Sequence, residues 1–571
     1  MIMAMAYARS TRSKTPKKRE CIIALFLVVL VGFAARLVLF SNSSYVSGDD
    51  GGYYVYYTQQ LIDGHWTGSL LAPSPVIFFF SALFAIPVGV NAGVTIATCL
   101  FSSLAGLSVF LLSERLVKDP RASLIAATLT VFSALSLAMN ADMRKSAAGA
   151  FFIPLVLYFL LKSFEDRKYL IPFGACGALA AMSHKTSFAA GFVLVAYFLL
   201  LFVFKKRLPK REVMLSICIA MFLLAVLIAL FPNSIGELEW LSSSKADMNS
   251  GARNFSALML PLAVLAPLGL AIGLRRRKEE DLFLAGWALS MFVLALPQVS
   301  SGQGYRFTYL LVAPLSILSG AGALWLRGKS KRLFYAAVAI AALSAAQFLY
   351  YGVADREMAS VPSTEAMRAL EELSSTLPNS AVVYSTVFRN GLPNYWINGY
   401  FFKRDDRPIS VLNWQAYVND DIEAGREVYV IQPGPHALFP WLPPGGPHLT
   451  YSNLETVYNK SDVLAFKVVG RIPESTAAGG GIVTKPYDRG RLVHLSTYLL
   501  LPYEVINAIN PPYLPALQAF VGIPLSLLWA SILMWLVCNK VKRLSAKQQR
   551  CLILIVSAFA IAAVLFKPGF L

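Results

Sequence analysis

Pro73-Ser74-Pro75-Val76-Ile77-Phe78-Phe79-Phe80-Ser81-Ala82-Leu83-Phe84-Ala85-Ile86-Pro87-Val88-Gly89-Val90 is the stretch on which the topology of this chain turns. If 75–92 crossed a bilayer, the later basic clusters would fall opposite the basic N-terminus, with its Arg9, Arg12, Lys14, Lys17, Lys18 and Arg19. Those clusters are Lys205-Lys206-Arg207 with Lys210-Arg211, Arg275-Arg276-Arg277-Lys278, Arg327 through Arg332, and Lys540 through Arg550. If the stretch does not cross, all of them share the N-terminal side, together with Glu114-Arg115 through Arg121, as the positive-inside bias requires. Pro73, Pro75 and the crowded Phe78, Phe79, Phe80 and Phe84 suit an interfacial or re-entrant helix better than a span. The remaining apolar runs then give about thirteen spans, N-terminus inside and C-terminus outside.

The composition agrees with a polytopic membrane protein. Of 571 residues, 56% are hydrophobic and only 15% charged, against roughly 25% charged in soluble domains. The net charge of +19 sits in short clusters between apolar runs, which is the pattern of cytoplasmic loops and implies no nucleic acid. Cys21, Cys99, Cys176, Cys218, Cys538 and Cys551 lie in or beside apolar runs with no metal-type spacing, so neither a disulfide framework nor a thiolate metal site is implied. The run Cys21 to Phe40 is long for a signal-peptide core and lacks a small-residue cleavage site, so it reads as an uncleaved span after a cytoplasmic segment, 1–20.

This topology divides the chain. A membrane module runs over 21–351, with a first external loop at about 41–92 carrying two surface-lying helices, Tyr53 to Gly64 and Pro73 to Val90. An external segment with its linker covers 352–495. Pro362-Ser363 opens a helix with Ala366, Leu370 and Leu373 as its apolar stripe. Ala381–Phe388, Glu427–Gln432 and Asp462–Val468 read as strands, and the Pro/Gly-rich Pro433 to Pro447 as loop. The expectation is a small α/β domain, a linker through Gly479-Gly480-Gly481, and 496–571 returning through an interfacial helix to two last spans.

Just past the first span comes Ser47-Gly48-Asp49-Asp50-Gly51-Gly52-Tyr53-Tyr54. Adjacent carboxylates between glycines at a bilayer surface read either as a solvated turn capping the next helix or as a site where the backbone comes close to a ligand. The other external turns carry Asn140-Ala141-Asp142-Met143-Arg144-Lys145, His184-Lys185, and Gln298 to Arg306. Each has a plain reading by itself: a charged helix end, a bare turn, an interfacial anchor. Tyr53, Tyr54, Tyr56 and Tyr57 suit an interface belt as well as a substrate wall. Their convergence on one side favours a site. Arg144, Lys145, His184, Lys185 and Arg306 suit an anionic lipid phosphate, the arginines offering forks and the lysines point charges. Asp49 or Asp50 suits the removal of a proton from an attacking hydroxyl. His65, His436, His448 and His494 are too scattered for a metal site.

The arrangement resembles the GT-C superfamily of membrane glycosyltransferases, which includes protein O-mannosyltransferases, aminoarabinose transferases of lipid A and oligosaccharyltransferases. Asp49-Asp50-Gly51-Gly52-Tyr53 matches the family pattern of Asp, an acid, two variable residues and Tyr, and Gln60-Leu61-Ile62-Asp63-Gly64 matches the end of the following helix. Asn140 to Lys145 resembles the family's second acidic site, with Asp142 as its acid. The resemblance covers about 20–330 in layout. It implies a polyprenyl-phosphate-linked sugar donor, a glycan, lipid or protein acceptor, Asp49 as general base and Asp50 as its positioning partner. The family's Asp-Glu is Asp-Asp here, so the base stays open between the two. The oligosaccharyltransferase signature Trp-Trp-Asp-Tyr-Gly is absent, and Asn394-Tyr395-Trp396-Ile397-Asn398-Gly399-Tyr400 does not replace it, which argues against transfer to an asparagine sequon. Some relatives use a divalent ion between the acidic sites and others none. Asp49, Asp50 and Asp142 are compatible with Mg²⁺ or Mn²⁺ without requiring it.

The expectation is therefore a multi-pass cell-membrane glycosyltransferase acting at the external face. The rival is a polytopic transporter or lipid-sugar flippase, which would place its polar groups near mid-membrane, often in repeated halves. Neither feature is evident in the sequence.

Overall fold

The structure is a computed structural model that describes residues 18–41, 43–48, 50–64, 74–141, 144–184, 186–187, 190–191, 194–195, 260–276, 278–295, 304–354, 362–378, 380–385, 396, 414–433, 453–461 and 463–471. The expected spans at 213–231, 515–538 and 550–567, most of that at 186–204, the glycine linker and the interfacial stretch before the last two spans lie outside the described residues.

The helical module begins with α1 (Lys18–Phe40), α2 (Gly51–Ile62), α3 (Val76–Val88) and α4 (Val90–Val117). It continues through α5 (Pro120–Val131), α6 (Ala134–Ala141), α7 (Arg144–Ser163) and α8 (Leu170–Ser183). After the next described stretch come α9 (Leu260–Arg276), α10 (Glu279–Ala295), α11 (Gly304–Lys329) and α12 (Lys331–Ala354). Among the described residues, five helices are long and apolar enough to cross a membrane, or six if α5 and α6, bent by 46° at their break, count as one. Central α11 is buried along most of its length, while α1 and α12 lie at the periphery.

Local chemistry sets the breaks. Lys118 adopts the left-handed conformation at φ 60° and ends α4. Asp119 then accepts hydrogen bonds from the backbone of Arg121 and Ala122, and Pro120 occupies the first turn, where its missing N–H costs nothing. Between α3 and α4, Gly89 takes φ 85°, ψ 160°, a conformation closed to side-chain-bearing residues.

With its 13 residues, α3 spans only about 20 Å at 1.5 Å per residue, short of the ~30 Å hydrocarbon layer. Both its ends meet the same first-loop segment. Phe78, near its start, stacks on Tyr54 at 5.6 Å, and Asn91, just past its end, accepts from the Val46 N–H at 3.3 Å. It folds back tightly on α4: a Cβ at Gly93 would lie 2.6 Å from the Ala85 nitrogen and 2.7 Å from the Ser81 carbonyl oxygen.

Ion pairs tie together the opposite end of the bundle. Arg115 at the end of α4 pairs with Glu165, just beyond α7, and Lys118 pairs with Glu280 at the start of α10 at 3.0 Å. That end also carries Arg275, Arg276, Lys329, Lys331 and Arg332. Arg115, Lys118, Arg275, Arg276, Lys329, Lys331 and Arg332 thus share one end of the bundle, away from the first loop.

A charge is buried among α1, α5 and α6. Arg36 of α1 has no exposure. It donates to the carbonyls of Gly32 and Val131 and to the Ser136 hydroxyl, and lies 4.9 Å from the Phe348 ring of α12. It thereby satisfies a carbonyl exposed by the break between α5 and α6 and fixes the direction in which α6 leaves.

The polar C-terminal segment forms a four-stranded sheet of order β1-β2-β4-β3, with β1 (Val382–Ser385), β2 (Val428–Pro433), β3 (Leu454–Lys460) and β4 (Val463–Val468). Among the described strands only β1 and β2 pair in parallel. They are connected through α14 (Trp414–Glu423), and α13 (Thr364–Thr376) precedes the sheet. Alternate residues face the two layers, as strand geometry dictates. Val382, Tyr384, Val428 and Val430 pack with Val418 of α14. Val383, Tyr429, Ile431 and Ala465 join Ala366, Met367 and Leu370 of α13 in a cluster continuous with the helical module. Ser363 caps α13 through the Ala366 N–H, and the stripe Ala366, Leu370 and Leu373 is fully buried, as the sequence suggests. The polar edge strand β3 and helix α14 are additions the sequence reading lacked.

Candidate active site

The site is built on the turn that follows α1. Val46, Ser47 and Gly48 are buried, and Gly48 has φ 83°. The Gly51 N–H donates to the Gly48 carbonyl at 3.0 Å, closing a turn whose intervening residues in the chain are Asp49 and Asp50. Asp49 itself lies outside the described residues. Asp50 occupies the N-cap of α2, but its carboxylate makes no capping hydrogen bond. That removes the simplest structural reason for an acid at this position.

The start of α7 is bound to this turn. Arg144, 2% exposed, donates to the Ser47 carbonyl and holds its guanidinium 5.2 Å from the Tyr54 ring centroid. The Lys145 backbone N–H donates to the Tyr54 hydroxyl at 3.3 Å. The Lys145 ammonium donates to the Tyr53 hydroxyl and lies 4.4 Å from the Tyr53 ring centroid. These contacts join residues about ninety apart in sequence. Asp142, two residues before Arg144, lies outside the described residues. Its neighbour Asn140 is buried and donates to Cys99 Sγ at 3.4 Å.

A third contribution comes from the end of α8 and the start of α11. His184 follows α8 directly and is 5% exposed. Its Nδ1 meets the Thr186 hydroxyl and, at 3.1 Å, the Thr186 N–H, while its Nε2 faces Arg306 Nη1 at 3.3 Å. Lys185 lies outside the described residues.

Tyr54 connects these groups electrostatically. Burial pushes its phenol well above the ordinary range and the Asp50 charge adds to this, whereas Arg144, the Lys145 backbone and Arg306 oppose it. Asp50, Arg144 and Arg306 therefore all act on one buried ring. Seven of the ten predicted residues are described, namely Asp50, Tyr53, Tyr54, Arg144, Lys145, His184 and Arg306, and all gather at the end of the bundle opposite the Arg115 and Lys118 ion pairs. Tyr54 and Phe78 form the packed wall behind the charges. Among the described residues no group of three His, Cys, Asp or Glu could hold a metal ion. Of the three acids weighed for one, only Asp50 is described.

Sequence reading missed two contributors. Arg36 carried the usual signal, a charge inside an apolar run. Trp396, 3% exposed, carried none, because its partners are glycines some 345 positions away by number in the chain.

The family described as "Dolichyl-phosphate-mannose-protein mannosyltransferase" matches residues 72–230. No curated protein matches the sequence. Among solved structures, the chain is similar to ArnT from Cupriavidus metallidurans bound to undecaprenyl phosphate, with a TM-score of 0.51 at 15% identity, covering 78% of this chain and 97% of that one. It is similar to the same protein in the apo state, with a TM-score of 0.52 at 16% identity over 78% and 98%. It also matches the oligosaccharyltransferase AglB from Archaeoglobus fulgidus in complex with an inhibitory peptide and a dolichol-phosphate, with a TM-score of 0.43 at 14% identity over 72% and 69%. The chain is thus a multi-pass membrane protein whose helical fold is similar to that of ArnT and whose residues 72–230 resemble the mannosyltransferase family.

Proposed function

We propose that this protein transfers a sugar from a polyprenyl-phosphate-linked donor to an acceptor hydroxyl at the external membrane face, by direct displacement. The observation that carries the reading is the binding of Arg144 and Lys145 to the turn and helix that bear Asp49, Asp50 and Tyr54, with Arg306, held against His184, acting on the same Tyr54. A carboxylate of that turn, Asp49 by the family resemblance, accepts the proton of the acceptor hydroxyl. The oxygen attacks the anomeric carbon, and the carbon–oxygen bond to phosphate breaks. The departing lipid phosphate keeps the electron pair, and Arg144, Lys145 and Arg306 stabilise its charge. The leaving group is already a stable anion, so no general acid is needed. The undecaprenyl phosphate bound by the ArnT relative supports a lipid phosphate as the donor's carrier. Asp142, two residues before Arg144 in the chain, is the acid of the second acidic site by the family resemblance.

The test is transfer by purified protein in lipid nanodiscs, using labelled mannosyl and aminoarabinosyl polyprenyl phosphates. Asp49→Asn is expected to lose about 100-fold or more of the rate while remaining folded. Retained transfer in both Asp49→Asn and Asp50→Asn would remove the proposed base. Lipid movement between leaflets without transfer would point to a flippase instead.

A further inference from the structure

Trp396 comes from the segment between β1 and α14, yet it is buried against the acidic turn of the membrane module. A Cβ on Gly52 would lie 2.8 Å from indole Cγ and Cδ1, and one on Gly51 would lie 3.1 Å from Cζ2 and 2.4 Å from the Val46 carbonyl oxygen. The indole therefore lies against the Gly51-Gly52 backbone, closer at Gly52 than a residue with a side chain permits. Tyr45 packs edge-on against the ring, with centroids 6.0 Å apart at 85°. The charges of Glu371 and Arg368 on α13 also act on Tyr45, so the α/β unit lies directly beside the turn. Trp396 Nε1 is buried with no hydrogen-bond partner among the described residues.

Two adjacent carboxylates repel each other, and a turn flanked by glycines has little stiffness of its own. A flat, rigid ring seated on those glycines supplies stiffness from outside. We propose that Trp396 is a positioning residue for the Asp49-Asp50 turn, through which the α/β unit completes the catalytic site. This inference rests on the transferase reading above. It also gives Gly51 and Gly52 a role in ring contact rather than in the turn alone.

The experiment compares wild type, Asp49→Asn, Trp396→Ala, Trp396→Phe and Gly52→Ala in the nanodisc transfer assay, with size-exclusion and thermal-melting profiles of each. Misplacing a reacting group by an ångström costs up to about 100-fold. Trp396→Ala is therefore expected to lower kcat by at least about 10-fold, with donor KM held within about twofold because the phosphate-binding cations are untouched. Trp396→Phe should recover part of the loss. Gly52→Ala should reproduce it, and should lose less when combined with Trp396→Phe, whose smaller ring makes room for the methyl. Where Trp396→Ala does not purify as a folded protein, Gly52→Ala carries the test. Wild-type kcat in Trp396→Ala or in Gly52→Ala, or a change confined to donor KM, overturns the inference while an inactive Asp49→Asn leaves the transferase reading standing. A wild type inactive with every donor removes both.

Discussion

At the scale of single residues, the site is defined by cations that do two things at once. Arg144 reaches back to the Ser47 carbonyl and also lies against Tyr54, so one planar guanidinium joins α7 to the first loop while presenting charge to the rim. Lysine offers a point charge without the fork and cannot serve both contacts. A charge-assisted hydrogen bond contributes roughly 1.5–3 kcal/mol, and about 1.4 kcal/mol is a factor of ten. Arg144→Lys should therefore cost about 10- to 100-fold in kcat/KM, measured by donor titration of the purified variant. An unchanged kcat/KM would mean that the Ser47 contact contributes little. Asp50 makes the complementary point. It stands where a capping acid belongs and makes no cap, and its charge is felt at the buried Tyr54.

At the scale of elements, helix contacts are set by small residues, as is usual where lipid offers no hydrophobic drive to association. A Cβ on Gly269 of α9 would lie 1.8 Å from the Leu318 carbonyl oxygen of α11, and one on Gly320 of α11 would lie 2.3 Å from the Ala122 carbonyl oxygen of α5. Nothing lies within 4 Å of the same position at Gly177 on α8. Gly269→Ala should destabilise by about 1–3 kcal/mol through overpacking. Gly177→Ala should be neutral or stabilising by about 0.5–1 kcal/mol through lower backbone entropy in the unfolded chain. Thermal melting of both variants in one detergent separates these outcomes, and equal melting temperatures would contradict the close approach of α9 and α11. Arg36 belongs at this scale too, because its guanidinium satisfies the helix break that aims α6 toward the rim.

At the scale of the whole molecule, charge is sorted between the two ends of the bundle. Among the described residues, the basic helix ends and their ion pairs occupy one end and the candidate site the other. Under the proposed orientation, a cysteine at Val88, which is 51% exposed, should react with an impermeant maleimide added outside intact cells. A cysteine at Lys118 should react only after the membrane is opened. Labelling of Val88→Cys from the cytoplasmic side alone would invert the topology. The α/β unit also belongs to this scale. Its α13 layer shares a hydrophobic cluster with the bundle, so it is seated on the site end rather than tethered at a distance.

The sequence by itself determined the membrane character, three strands of the sheet, and most of the polar residues that converge. These follow from local chemistry: hydropathy, charge bias, proline position and a short motif are all legible within a few residues. Only the tertiary structure decided that Arg144 binds the Ser47 carbonyl, that Arg36 closes a helix break, that β3 is an edge strand, and that Trp396 rests on Gly51 and Gly52. Those contacts join groups tens to hundreds of residues apart, and a glycine or a backbone carbonyl leaves no mark in the sequence of the partner it will meet.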